Sequence, residues 1–315
     1  TEFIMASEKC EINEKQELVK RLKKETGAVI LAHTYQSPEI TDIADIVGDS
    51  FALASKCAAL PEKKVVMCGV RFMAESVKIL APEKEVLLPE PDATCPMAEM
   101  ITPERVRRFK AEHPEAVVVA YINTTAALKA ECDVCVTSSS ALKIVSQLDA
   151  PEILFIPDKN LGAYVKKMLP DKNIILWDGY CPVHNSLTAE DIIEAKRSHP
   201  EAAVAVHPEC PPEVVSLADM AGSTAEIIKF AKASEKPVII GTERGVADGF
   251  LAHGKGSGDK YIYLCPEKLV CADMKKITLD SVAAALNGTG GESVTVDEKL
   301  RLKAKKSIDE MLRLG

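Results

Sequence analysis

The chain predicts an α/β protein: three similar αβα domains with mostly parallel sheets. Short apolar runs alternate with amphipathic helical stretches along all 315 residues, a helix–turn–strand unit recurs, and polar residues recur at fixed distances after that strand. Alternation of this kind favours parallel sheets covered by helices. The runs at 28–32, 65–67, 117–120, 153–156, 174–177, 203–206, 238–240 and 261–264 read as buried strands. TPERVRRFKAEHPEAVVVAYIN (102–123) is repeated as TAEDIIEAKRSHPEAAVAVHPE (188–209), and ELVKRLKKETGAVILAHTY (17–35) is a weaker third copy. Thr102 and Thr188 are positioned as helix N-caps, and His113 and His199 fall in the helix–strand turn as structural residues. The repeat predicts domains at 1–103, 104–189 and 190–275. Helices at 276–287 and 296–314 are expected to complete the first domain within 276–315. The Gly-Thr-Gly-Gly turn at 288–291 reads as a connector.

The repeat extends past the strand. His33, Tyr121 and His207 end the copies' first strands; 17 residues later come Ser50, Ser138 and Thr224, and 60–64 residues later come Cys95, Cys181 and Cys271. Open α/β sheets bind ligands beyond the carboxyl ends of their strands. Three domains around a pseudo-threefold axis would aim those ends at one centre.

Composition narrows the function. Lys plus Arg number 39 against 47 Asp plus Glu, a net charge of −8, and aromatics are 4%. That disfavours nucleic acid or an anionic membrane as partner. A local pocket for a small anion is still allowed. With no run of about 18 apolar residues and no signal-like pattern in residues 1–7, which read as vector-derived, a cytoplasmic location is expected. The ten cysteines are then reduced thiols serving as core residues, metal ligands or redox groups.

Cys10, Cys57 and Cys68 read as small hydrophobes, and Cys210 as a bystander. Cys132 and Cys135 form a C-x-x-C without the following helix that activates redox thiols. Cys95, Cys181 and Cys271 stand apart, since each follows turn-like sequence and they recur 86 and 90 residues apart. Three soft thiolates suit an iron–sulfur cluster with one open iron. They also suit zinc if His184 is the fourth ligand, or they hold no metal.

Ser50, Ser138 and Thr224 open helices. They are either plain N-caps or part of a site where free N–H groups meet a carboxylate or phosphate; Gly222, Ser139, Ser140 and Ser223 fit both readings. The strand-end pairs His33 and Tyr35, Tyr121 and Asn123, and His207 and Glu209 occupy equivalent places. They offer proton transfer and donors to developing negative charge.

The motifs HTYQSPEITDIADIVGDS (33–50), CGVRFMAE (68–75), LLPEPDATC (87–95), AYINTTAALKAECDVCVTSSSA (120–141), PDKNLG (157–162), WDGYCPVH (177–184), HPECPPEVV (207–215), GSTAE (222–226), GTERG (241–245) and CADMKKITL (271–279) closely resemble the quinolinate synthase family. The resemblance spans about residues 17–280. It implies three αβα domains about a pseudo-threefold axis with a [4Fe–4S] cluster at the centre, held by Cys95, Cys181 and Cys271. It implies condensation of iminoaspartate with dihydroxyacetone phosphate, losing phosphate and two waters, with the open iron as Lewis acid. L-aspartate oxidase or dehydrogenase is the implied metabolic neighbour. Glu209 and Tyr121 would transfer protons; His33, His207 and Tyr35 would orient the triose and assist its acid–base steps. Ser50, Ser138, Ser223 and Thr224 would bind carboxylate or phosphate, and Asn123 would align the intermediate. Some members carry C-x-x-C-x-x-C near the last ligand. Here Cys265 and Cys271 match its outer positions and Lys268 its middle one, so a redox switch there is unsupported and Cys265 is a minor rival ligand. Arg71 is assigned no chemistry, and His184 should not be a ligand if the cluster is present. Two other readings are another [4Fe–4S] hydro-lyase of hydroxy acids and a non-catalytic, zinc-stabilised metabolite-binding protein. Substrate dependence tests the first and metal analysis the second.

Overall fold

All eight apolar runs form strands in the computed structural model, which describes residues 2–252 and 260–315, with side chains from Lys9 onward. Thr1, part of the segment read as vector-derived, lies outside the described residues. Along the chain come α1 (Glu2–Thr26), β1 (Ala28–His33), α2 (Pro38–Thr41), β2 (Ile46–Gly48), α3 (Ser50–Ala58), β3 (Lys64–Cys68), α4 (Arg71–Leu80) and β4 (Glu85–Leu88). Next are α5 (Pro103–Glu112), β5 (Val117–Tyr121), α6 (Ala126–Lys129), β6 (Val134–Val136), α7 (Ala141–Gln147), β7 (Ile153–Ile156), α8 (Lys159–Met168) and β8 (Ile174–Leu176). The third set is α9 (Ala189–Ser198), β9 (Ala203–Val206), α10 (Pro212–Leu217), β10 (Met220–Ala221), α11 (Thr224–Ala233), β11 (Val238–Gly241), α12 (Gly245–Ala252) and β12 (Tyr261–Tyr263). The chain ends with α13 (Leu279–Asn287), β13 (Glu292–Ser293) and α14 (Glu298–Leu314).

The three sheets share one topology. Their orders are β2-β1-β3-β4, β6-β5-β7-β8 and β10-β9-β11-β12, all parallel; the first gains β13 as an antiparallel edge beside β4. The central strands β1 and β7 are buried at every position, as expected of parallel strands covered on both faces. The second strand of each copy, β2, β6 or β10, has only two or three residues, too few for a period to be legible. An aspartate places it. Asp45, Asp133 and Asp219 each accept from a backbone N–H of the neighbouring first strand, at Ile30, Val118 and Val204, at 2.8 Å. All three lie 12 residues after the strand-end residue, a recurrence present in the sequence.

Contacts divide the chain into two compact units, Thr1–Thr94 with Cys271–Val296 and Cys95–Val270 with Asp297–Gly315. The first holds the five-stranded sheet, and the second holds both four-stranded sheets. In the first, α13 packs on α1 and β3. It ends at Gly288, whose φ of +76° is the left-handed cap that glycine adopts readily. The last helix departs from expectation. α14 packs in the second unit, on β6, α6 and α7. β6 is an edge strand, and the buried Ala304, Ile308 and Met311 stripe of α14 forms its cover. Ser307 bonds the Lys129 carbonyl and lies 3.3 Å from the Cys135 sulfur.

Among the described residues, no helix is long and apolar enough to cross a membrane. Thr102 and Thr188 are N-caps, Thr188 within a full capping box with Asp191. His113 and His199 close α5 and α9; His113 bonds Glu152 and stacks on Phe109.

Candidate active site

The candidate residues lie at the carboxyl ends of the parallel strands and in the loops that follow. In the first unit β1 ends at His33, whose Nδ1 accepts from the Tyr35 N–H at 3.1 Å. That assigns the ring proton to Nε2. The two rings meet edge to face at 4.4 Å. The segment after Cys271 reaches the same loop, with the Lys275 ammonium donating to the Tyr35 carbonyl. Ser50 is buried at the first position of α3, but Asp49 is the cap, accepting from Ala52 N–H at 2.8 Å. The capping reading is corrected in the other copies as well. Ser223 caps α11 in a box with Glu226, so Thr224 is the first helical residue. Ser138 sits two residues ahead of Ser140, the N-cap position of α7, in a turn closed by Thr137 and Ser140. The hydroxyls of Ser50, Ser138 and Thr224 thus lie beside the caps rather than supplying them.

The second unit assembles a buried polar constellation from five segments. Glu209, just beyond β9, is 3% exposed, with His184 at 1% and His207 at 2%. His184 Nδ1 lies 2.7 Å from Glu209 Oε2 and 3.3 Å from Cys181 Sγ, while its Nε2 lies 2.9 Å from the Thr242 hydroxyl. The His184 and His207 rings stack at 4.8 Å. His207 Nδ1 accepts from the Glu209 N–H, as His33 does from Tyr35. Tyr121, at the end of β5, donates to the Glu209 carboxylate. Asn160 bonds the Glu209 carbonyl at 3.0 Å and the Asn185 side chain at 2.9 Å. Burial alone would favour a protonated Glu209. The adjoining His207 and His184 rings and the hydrogen bonds from His184 and Tyr121 outweigh it and hold the carboxyl well below its ordinary range. A second buried acid of this unit, Asp158, is pushed well above its range by burial and by the Glu209 charge. Two neighbouring carboxyls are therefore driven apart, the pattern that separates acid from base.

Lys129 is fully buried, and its ammonium donates to the carbonyls of Ile122 and Thr124, on either side of Asn123. It holds the loop that carries Tyr121 and Asn123.

The three repeated cysteines share one backbone device. An N–H at the start of the helix after the third strand, or one residue before it in the third copy, donates to the carbonyl two residues before each cysteine: Arg71 to Ala93, Lys159 to Gly179, and Arg244 to Leu269, at 2.8–2.9 Å. Asp158 adds an acceptor for the Cys181 N–H at 3.3 Å. Cys95, Cys181 and Cys271 are all partly exposed. The Cys181 thiol is pushed far above its ordinary value by burial, by the Glu209 charge and by Cys95. A soft cation would reverse that balance, so the Cys181 and Cys95 thiols of this unit fit a thiolate-bound metal group. The ligand atoms of Cys181, His184 and Glu209 lie within 4.8 Å of one another. Even so, His184 already directs one ring nitrogen at Glu209 and the other at Thr242, a poor start for a zinc ligand.

The other cysteines are structural. Cys57, Cys68, Cys132, Cys135 and Cys210 are buried, and burial pushes each thiol up, Cys57 to about 11 and Cys68 to about 12. Cys10 is the correction: it sits on α1 and is exposed. Cys265 lies 3.4 Å from Asp191, which also binds Lys268 through both oxygens. Arg71 is structural, binding Glu292 through two nitrogens and the Pro91 carbonyl. Thr242, Asp158, Asn160 and Lys129 were not singled out by sequence. Their motifs are visible, but the repeat does not supply these residues three times.

Comparison with known proteins completes the description. Residues 17–313 match the family described as "Quinolinate synthetase A protein". The quinolinate synthase of Caldicellulosiruptor bescii is 50% identical over 296 residues, 94% of this chain and 96% of that protein. That of Clostridioides difficile is 49% identical over 298 residues (94% and 97%), and that of Aquifex aeolicus is 46% identical over 314 (98% and 96%).

Proposed function

This chain belongs to the quinolinate synthase family, and from that premise we propose that it condenses iminoaspartate with dihydroxyacetone phosphate, releasing phosphate and two waters. It is an enzyme of NAD biosynthesis whose product is quinolinate. Atoms balance in the proposed reaction without oxidant or reductant, so polarisation and proton transfer are the chemistry required. An iron–sulfur group is the cofactor of the family. We assign it to Cys95, Cys181 and Cys271 as a [4Fe–4S] cluster, which supplies a Lewis acid at its open iron.

The observation that carries this reading is Glu209. An ionised carboxylate buried between Tyr121 and His184, beside Cys181, is a base held ready for proton abstraction. Tyr121, already bonded to it, is placed to return a proton during dehydration. His33, Tyr35 and His207 orient the triose part. Ser50, Ser138, Ser223 and Thr224 hold carboxylate or phosphate near helix N-termini, where free N–H groups favour anions. Asn123 aligns the intermediate on the loop that Lys129 anchors. The three domains, 1–103 with α13, 104–189 and 190–275, would stand around a pseudo-threefold axis. The location is cytoplasmic, and an L-aspartate oxidase or dehydrogenase supplies the unstable imine.

The test is iron, acid-labile sulfide and zinc per chain on protein purified without oxygen, followed by a direct quinolinate assay. About four iron and four sulfide, with product only when both substrates are present, is the expected result. About one zinc without sulfide would overturn the mechanism.

A further inference from the structure

Three residues distant in sequence meet at one buried point. Thr242 follows β11, His184 follows the Cys181 turn, and Glu209 follows β9. The imidazole lies between the other two, with Nε2 2.9 Å from the Thr242 hydroxyl and Nδ1 2.7 Å from the Glu209 carboxylate. We propose that Thr242 and His184 are positioning residues that lock the Glu209 carboxylate in its reactive orientation. The inference rests on the reading of Glu209 as a proton-transferring group.

The hydrogen-bond chemistry supports it. A carboxylate can only accept, so the ring must present N–H at Nδ1. A hydroxyl on Nε2 fixes the ring plane and lets the other nitrogen serve Glu209 in that orientation. The stacked His207 ring blocks rotation from one face. Asn160 holds the Glu209 main chain through its carbonyl, so the residue is gripped at both ends. The arrangement has the logic of a base–orienter pair, in which a third group sets the imidazole.

Thr242→Val tests this, because valine keeps the shape and removes only the hydroxyl. The expected result is a kcat lower by roughly 10- to 100-fold, the scale of misplacing a reacting group by about 1 Å. KM for both substrates should stay within about twofold, iron and sulfide per chain should be unchanged, and Thr242→Ser should restore kcat. A crystal structure of the cluster-free Thr242→Val protein supplies a second readout, with the Glu209 carboxylate turned away from His184. Unchanged kcat, a loss that vanishes when rates are normalised to iron, or an unmoved carboxylate would overturn the proposal. Wild-type protein that makes no quinolinate from the two substrates would instead overturn the functional reading, and the crystal structure would still decide the positioning role.

Discussion

The Cys132–Cys135 pair and the Cys181 turn are both cysteine sites, and they behave oppositely. The pair has the more recognisable local motif, yet both thiols are buried against α6 and α14. Cys181 stands alone locally, yet it adjoins a constellation that combines an ionised base, two imidazoles and a phenol. A C-x-x-C is made by local spacing and can serve a core as well as a metal. A cysteine repeated once per structural copy marks the strand ends, where open α/β sheets place ligands.

The sharpest break of this comparison is metal content. Cys181→Ala is expected to lose nearly all iron and turnover, whereas Cys135→Ala keeps both, measured as iron per chain and quinolinate formed. Equal iron loss in the two variants would erase the distinction. Next comes Glu209→Gln, which keeps shape but cannot take a proton. Turnover should fall roughly 10²–10⁴-fold, with iron content unchanged. Full turnover would remove Glu209 from the mechanism.

The Cys181 turn can be perturbed without touching a ligand. A Cβ at Gly179 would fall less than 3.0 Å from the Pro157 carbonyl oxygen. Gly179→Ala is therefore expected to strain the turn by about 1–3 kcal/mol and lower the iron bound after reconstitution. On the other side of the comparison, Cys135→Ala should cost only stability, about 1–2 kcal/mol in urea unfolding.

The smallest effect concerns Arg71, which begins the helix tied to the Cys95 loop. Its bonds to Glu292 hold that carboxyl below its ordinary value. A depressed carboxyl adds stability above the unfolded pKa of about 4.3, and this is lost as pH falls through the folded value. Both side chains are about one-third exposed, so the gain is under about 1 kcal/mol. Comparing wild type with Glu292→Gln by urea unfolding should give that difference at pH 7 and a shrinking one as pH falls below about 4.3.

Much of the architecture was legible because it is written three times. The eight strands that carry apolar runs, the Thr188 cap and the three cysteines follow from period and recurrence, whereas β4 (Glu85–Leu88) was not read from the sequence. The short second strands escaped, since two or three residues carry no period and a single aspartate bond places each one. The destination of α14 escaped too: an amphipathic helix declares that it must bury a face, not which edge strand offers the cover.

The sequence by itself determined the repeat, and with it the strand-end positions of His33, Tyr121 and His207 and one cysteine per copy. Only the tertiary structure decided how Glu209 is held. His184 and Thr242 are 58 residues apart and follow different sheets, so no local spacing links them. Their meeting depends on the packing of two four-stranded sheets in one unit, where the cost of burying a charge forces each polar group to find a partner.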